Sequence, residues 1–170
     1  MTSSTAGICF IEHRHATAVQ ELASDFAVAE WTRLPHPYPE NGAAAFIEMQ
    51  ILERKLRKAF VFAIEVDGQF VGLCGLHEIR AGVSKEFGFW IGKPYWGNGY
   101  ASFAAKSTLE FGFRELELHR VEAVALESNH ASRRVLEKNG FSLLKIAKHN
   151  DPHIHRKNER LAKYVLSVSK

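Results

Sequence analysis

Glu86-Phe-Gly-Phe-Trp-Ile-Gly-Lys-Pro-Tyr-Trp-Gly-Asn-Gly-Tyr-Ala101 holds the decisive change of pattern in this chain. Glu86 to Ile91 is aromatic and β-branched, which predicts a strand, and Lys93-Pro94 ends it. Gly97 and Gly99 flank Asn98, and beyond them Ala101, Ala105, Leu109, Phe113 and Leu116 recur at helical spacing. A helix opening straight from such a turn presents free backbone N–H groups and the positive end of its dipole, a place suited to phosphate. Glycine serves there because a Cβ would hold a bulky anion off the backbone, and because the turn can require φ > 0. A bare Gly-x-Gly also occurs in turns that bind nothing. The rest of the chain has to decide.

Upstream, Ile8 to Glu12 reads as a first strand, and Ala16 to Trp31 as a helix with Val19, Leu22, Ala23, Phe26 and Ala27 on one face. Arg33-Leu-Pro-His-Pro-Tyr-Pro39 breaks that helix with three prolines. Asn41 is a candidate cap for a second helix over Gly42 to Lys58. Ala59 to Val66 and Gln69 to Ile79 are strands joined by Asp67-Gly68, the strongest hairpin signal in the sequence. Arg80 to Ser84 turns into the Glu86 strand, and after the helix over about 99–116 comes a strand from His119 to Leu126. Ser128 or Asn129 caps a short helix that Gly140 stops, and Phe141–Ala147 and Leu161–Ser167 are the last strands. The order β-α-α-β-β-β-α-β-α-β-β predicts an α/β (α+β) chain, one domain over residues 1–170. Its mixed sheet is antiparallel first and parallel across the middle.

Composition excludes several classes. The 170 residues suit a single core, and 46% hydrophobic with 24% charged residues is ordinary for a soluble globular domain. A net charge of +3 is too small to argue for nucleic acid, although it suits an anionic ligand. No apolar run approaches the ~18–20 residues that span a bilayer, and the first residues lack a signal-peptide pattern. Cys9 and Cys74 sit in apolar strand contexts, which predicts buried free thiols and a cytoplasmic location. His149, His153 and His155 share a loop without a nearby cysteine, and the expectation is that no metal is bound there.

In Leu34-Pro-His-Pro-Tyr38, Glu86-Phe-Gly-Phe-Trp90, Tyr95-Trp-Gly-Asn-Gly-Tyr-Ala101, Arg120-Val-Glu-Ala123 and Asn129-His-Ala-Ser-Arg-Arg-Val-Leu-Glu-Lys-Asn-Gly-Phe141, the chain resembles the GNAT superfamily of acetyl-CoA-dependent N-acetyltransferases, in its RimJ/RimL-like branch. The resemblance covers nearly the whole chain. It implies a seven-stranded, mostly antiparallel sheet with about four helices, in which the strand ending at Ile91 splays from the one beginning at His119. Pantetheine would lie in that gap against Phe89, Trp90 and Ile91. Trp96, Gly97, Asn98, Gly99, Tyr100, Ala101 and Ser102 would wrap the pyrophosphate, and Trp96 stands where the wider superfamily has Gln or Arg. Asn129 and Arg134 would also touch the cofactor, with Arg133 and Lys138 in reach of its phosphates. A dinucleotide fingerprint competes weakly: Ser102 replaces its third glycine, and the turn follows a meander.

The implied reaction is direct attack of a neutral amine on the acetyl thioester. It needs a deprotonated amine, donors for the oxyanion and a proton for the thiolate. An α-amine of pKa ~7.7–8 is about a fifth neutral near physiological pH, whereas a lysine at ~10.4 is neutral in about one molecule per thousand. Glu86 is the candidate base, sharing a strand face with Gly88 and Trp90, and Glu78 is its reserve. A solvated or salt-bridged Glu86 is the plain alternative. Asn129 and Ser132 lie three apart on one helix face; Asn129 can also simply cap. Leu136 stands where many members place a tyrosine acid, which leaves Ser132 or a water to protonate the thiolate. Arg160 likewise departs from the family's usual aspartate before Tyr164. Trp31, His36 and Tyr38 fall where the family builds its acceptor pocket. The resemblance thus implies acetyl-CoA and an amine acceptor, either a protein N-terminus or a small molecule, and a monomer or homodimer. An acyl-CoA-binding sensor without turnover is the alternative from another class.

Overall fold

The computed structural model describes residues 4–169. Seven strands form one sheet in the order β1-β2-β3-β4-β5-β7-β6. They are β1 (Ala6–Phe10), β2 (Phe60–Val66), β3 (Gln69–Arg80), β4 (Val83–Ile91), β5 (Arg120–Leu126), β6 (Ser142–Ala147) and β7 (Leu161–Ser167). Only β4 and β5 run parallel; every other neighbouring pair is antiparallel. Five α-helices accompany the sheet: α1 (Ala16–Ala23), α2 (Phe26–Ala29), α3 (Gly42–Lys55), α4 (Tyr100–Glu115) and α5 (His130–Lys138). Both hairpin turns use positive φ at two consecutive residues, Asp67-Gly68 and Ala81-Gly82, the backbone that matches the twist of flanking strands.

Two expectations about helices are corrected. The helix read over Ala16–Trp31 is interrupted at Ser24-Asp25, because the Asp25 carboxylate accepts from the Ala27 N–H at 2.9 Å and starts a separate turn. Asn41 does not cap α3 with its side chain. Gln20 of α1 does that work: its Oε1 accepts from Ala43 N–H at 3.0 Å while its Nε2 donates to Pro39 O at 2.8 Å. A cap borrowed from another helix leaves no local signature.

The central strands are buried on both faces. On one side Cys74, Leu76, Phe87, Val121 and Ala123 pack with Ala104, Ala105 and Leu109 of α4 and Leu136 of α5. On the other, Val61, Ala63, Phe70 and Leu73 pack with Val19 and Ala23 of α1 and Ala43 and Ile47 of α3. That double burial explains the unbroken apolar run in β2 and β3. No helix among the described residues is long and apolar enough to cross a membrane.

The sheet opens in its middle. β4 and β5 are paired from Val83/Arg120 to Phe87/Ala123 and no further. Each strand stays fixed on its outer side, β4 to β3 as far as Ile91/Gly72 and β5 to β7 as far as Leu126/Leu161. The last residues of both are therefore rigid but unpaired across the gap. Gly92 N–H bonds Val71 O at 2.8 Å, so antiparallel alternation turns the peptide groups of Phe89 and Ile91 towards the opening.

Candidate active site

Two chambers meet at this opening. One, of about 900 Å³, lies between β3–β5 and the α2–α3 connection; the other, of about 550 Å³, lies over the glycine turn and the start of α5. Trp31, Thr32, Phe89, Trp90, Asn129 and Ser132 line both.

The smaller chamber contains Trp96, Gly97, Asn98, Gly99, Tyr100, Ala101, Ser102 and Arg134. Gly97 and Gly99 have φ of 78° and 79°, and no atom lies within 4 Å of where a Cβ would stand. Glycine is thus required by the backbone conformation, and the space before it is free. Asn98 Nδ2 donates to Tyr95 O at 2.9 Å and Trp96 O at 3.1 Å, which holds the turn in shape. Trp96 Nε1 donates to Ile91 O at 2.7 Å. Its indole therefore ties the turn to the end of β4, work that a Gln or Arg side chain with free donors would not be confined to. Gly99 is the N-cap of α4 and offers no side chain to the first-turn N–H groups. Arg134 and Lys138 line this chamber. Arg133 does not: its Nε donates to the buried Tyr164 hydroxyl at 2.8 Å and its Nη1 to Glu127 O at 2.9 Å, so it anchors α5 to the sheet. Arg160 has a structural task too, a two-pronged ion pair with Glu127 at 2.7 Å on each arm.

Asn129 and Ser132 stand at the junction. Asn129 Oδ1 accepts from Ser132 N–H at 3.1 Å as the N-cap of α5, leaving its amide N–H groups free for a second partner. Leu136, one turn on from Ser132, lines the larger chamber and is 1% exposed. It supplies packing and no proton.

The larger chamber holds Glu86, Trp31 and Tyr38 together with His77, Arg33, Gly75 and Gly88. Glu86 and His77 are direct cross-strand partners, as are Gly88 and Gly75, so two side chains able to move protons flank a floor of bare backbone. The Glu86 carboxylate is paired with Arg33 Nη1, and Arg33 Nε reaches Asp151 Oδ2 at 2.6 Å. Burial opposes the Arg33 charge, but the carboxylates of Glu86 and Asp151 outweigh it and raise the guanidinium's pKa. Burial raises the Tyr38 phenol. Burial also lowers His77, against the opposing pull of Glu86, Glu78 and Glu53. Glu78 is exposed and lies outside the lining. His36 lies outside it as well, packed on Phe26 with ring centroids 4.9 Å apart. Trp31 is covered by the Arg156 guanidinium at 3.7 Å from its ring centre.

Sequence reasoning passed over Arg33, His77 and Asp151. The Arg33–Asp151 contact joins segments 118 residues apart, which no local pattern reports. His77 was open to detection, because its two-residue spacing from Gly75 puts both on one strand face.

The loop histidines do not converge. His149 Nδ1 accepts from Asp151 N–H at 3.2 Å, His155 Nε2 donates to Leu34 O at 2.7 Å, and the backbone N–H of His153 bonds Asp151 Oδ1. Among the described residues the one grouping of metal-ligand type is Cys9, His15 and Glu65. His15 Nδ1 accepts from Glu12 N–H at 2.9 Å, so the proton sits on Nε2 and is donated to Glu65 Oε1 at 3.0 Å. That imidazole has no lone pair left for a cation.

The fold agrees with comparisons to known proteins. Residues 10–142, well over half of the chain, match the family model described as acetyltransferase (GNAT) domain. The chain belongs to the GNAT acetyltransferase family. It is 37% identical over 76 residues to the putative ribosomal N-acetyltransferase YdaF of Bacillus subtilis, a stretch covering 44% of this chain and 42% of that one. The chain spans about half the length of the first curated relatives it matches. Among solved structures, RimL, a ribosomal L7/L12 alpha-N-protein acetyltransferase in complex with coenzyme A, superposes with TM-score 0.89 at 16% identity, covering 98% of this chain and 96% of that chain. Spermidine N-acetyltransferase of Vibrio cholerae, in complex with CoA and spermine, superposes with TM-score 0.81 at 17% identity, covering 95% of each.

Proposed function

We propose that this protein is an acetyl-CoA-dependent N-acetyltransferase that acts on an amine bearing a single charge, in the first place the α-amine of a peptide or protein N-terminus. The observation that carries the reading is the parting of β4 from β5 where the two chambers meet. An open sheet edge offers unpaired N–H and C=O groups, and an amide-bearing pantetheine satisfies them as an added strand would. Phe89 and the Ile91 N–H supply those groups, the Ile91 carbonyl being held by the Trp96 indole, and the N–H groups of residues 97–102 hold the pyrophosphate with help from Arg134. The thioester then sits beside Asn129 and Ser132, facing the larger chamber. No metal enters the reaction in this reading.

Glu86 draws the acceptor's ammonium in and assists its deprotonation across a water. Attack by the neutral amine gives a tetrahedral species; its collapse breaks the C–S bond, and Ser132 or a water delivers a proton to sulfur. A polyamine is the weaker acceptor, because Arg33, shared between Glu86 and Asp151, leaves the trio a single net negative charge, and much of the remaining wall is apolar: Leu34, Phe46, Leu73, Trp90 and Ile154. Leu136 favours one second reading, an acyl-CoA-binding sensor without turnover.

Thiol release from acetyl-CoA, followed with N-terminal peptides, spermidine and N-α-blocked lysine, tests these readings together. Turnover of the peptides at tenfold or greater kcat/KM over spermidine is expected. Preference for spermidine would overturn the acceptor class, and CoA binding without release across the panel would favour the sensor. Ser132→Ala is expected to slow kcat by about three- to tenfold, since a CoA thiolate leaves with little assistance; inactivation would make Ser132 the obligatory acid.

A further inference from the structure

We propose that His77 is a second proton-transfer residue of this site: its imidazole is the final acceptor of the proton that leaves the ammonium across the Glu86-held water, while Glu86, held on Arg33, supplies the charge that seats that ammonium. The inference rests on the transferase reading and adds a residue to it. Three features of the structure lead there.

The first is placement. His77 on β3 and Glu86 on β4 are register partners in the lining of the larger chamber. Next to them, Gly75 and Gly88 form a pair without side chains. A Cβ on Gly75 would stand 2.8 Å from His77 Nε2, so the imidazole lies back over this glycine along the chamber floor. A Cβ on Gly88 would meet nothing within 4 Å, which is the open slot beside the parted strands. The ring thus borders the space through which an amine must reach the thioester.

The second feature is availability. Among the described residues, no side chain or backbone group hydrogen-bonds either ring nitrogen of His77, whereas one Glu86 oxygen is engaged by Arg33. Third is charge state. Glu86 on β4, Glu53 on α3, Glu78 on its own strand and Arg33 on the α2–α3 connection face the imidazole, and burial outweighs the three carboxylates to keep it neutral. A neutral imidazole accepts a proton; an imidazolium cannot.

The steps balance. One ammonium N–H bond breaks, its proton moves to a His77 ring nitrogen, and the freed lone pair attacks the acetyl carbon. After collapse, the second proton lost from nitrogen accounts for the S–H of coenzyme A. His77 returns its proton to solvent, which gives the one proton released per turnover.

The test is the pH dependence of kcat at saturating substrates for wild type, His77→Gln and Gly75→Ala, beside acetyl-CoA binding by calorimetry. Wild type is expected to show an acidic limb below the ordinary histidine value near 6.5. An imidazole carbon signal that vanishes in the His77→Gln spectrum should titrate with the same midpoint. His77→Gln is expected to lose that limb and about 100-fold in kcat, with acetyl-CoA affinity within twofold, which also reports an intact fold. Gly75→Ala, whose methyl would meet the ring at 2.8 Å and Val61 at 2.9 Å, should lower kcat while keeping the limb. A His77→Gln enzyme with wild-type kcat and profile overturns the inference and leaves the transferase standing. Wild type without turnover on any amine overturns both.

Discussion

Glu86→Gln is expected to lower kcat by about 100-fold or more and to leave the acetyl-CoA dissociation constant within about twofold. Glutamine keeps the shape of the side chain and removes the charge. Arg33 then stays on Asp151 through Nε, with Nη1 left facing the chamber and no carboxylate there to attract an ammonium. Glu86 lines the larger chamber only and takes no part in the glycine turn, so the cofactor's affinity is expected to change little. A hundredfold loss corresponds to about 2.7 kcal/mol of transition-state stabilisation. Steady-state thiol release beside calorimetric binding separates the outcomes. Equal losses of turnover and cofactor affinity, or no loss, would return Glu86 to the role of a strand-end ion-pair partner.

Gly99→Val is expected to weaken acetyl-CoA binding by at least about 100-fold. Gly99 sits at φ 79°, where a β-branched residue is strained by about 1–3 kcal/mol. The strain alone shifts the turn away from its anion-holding shape, and the valine methyls fill the free space that the phosphates need. Nothing in the folded chain opposes the new side chain, because no atom lies within 4 Å of the Cβ position. The domain should therefore still fold with a modest loss of thermal stability. S-acetylpantetheine, which lacks the pyrophosphate, should lose far less in kcat/KM than acetyl-CoA does. Acetyl-CoA binding within threefold of wild type would place the phosphates elsewhere.

Much of the architecture could be read before any coordinates. Asp67-Gly68 marks its hairpin, Asn129 and Gly140 mark both ends of α5, and the change from strand to helical spacing around Gly97 marks the start of α4. These features are legible because each is a local backbone requirement satisfied by one or two residue types. The break at Asp25 and the Gln20 cap were not, because helical periodicity continues through the first and the second joins α1 to α3. The same division runs through the candidate site. Phe89, the glycine turn, Glu86 and Ser132 lie in motifs of contiguous sequence. Arg33 and Asp151 acquire their meaning only when the α2–α3 connection and the loop between β6 and β7 close on one another. His155 on Leu34 O, and Arg156 on Glu30 and Trp31, make the same closure.

By itself the sequence determined the strand order, the helices other than the break at Asp25, the left-handed glycines of the turn and the family, since short-range sterics and hydrophobic spacing act along the chain. Tertiary structure alone decided where β4 leaves β5, that Glu86 is held by Arg33, and that His77 lies over Gly75 in the same chamber. Those outcomes depend on which groups meet across the sheet, and the distances between such groups are written in packing rather than in spacing along the chain.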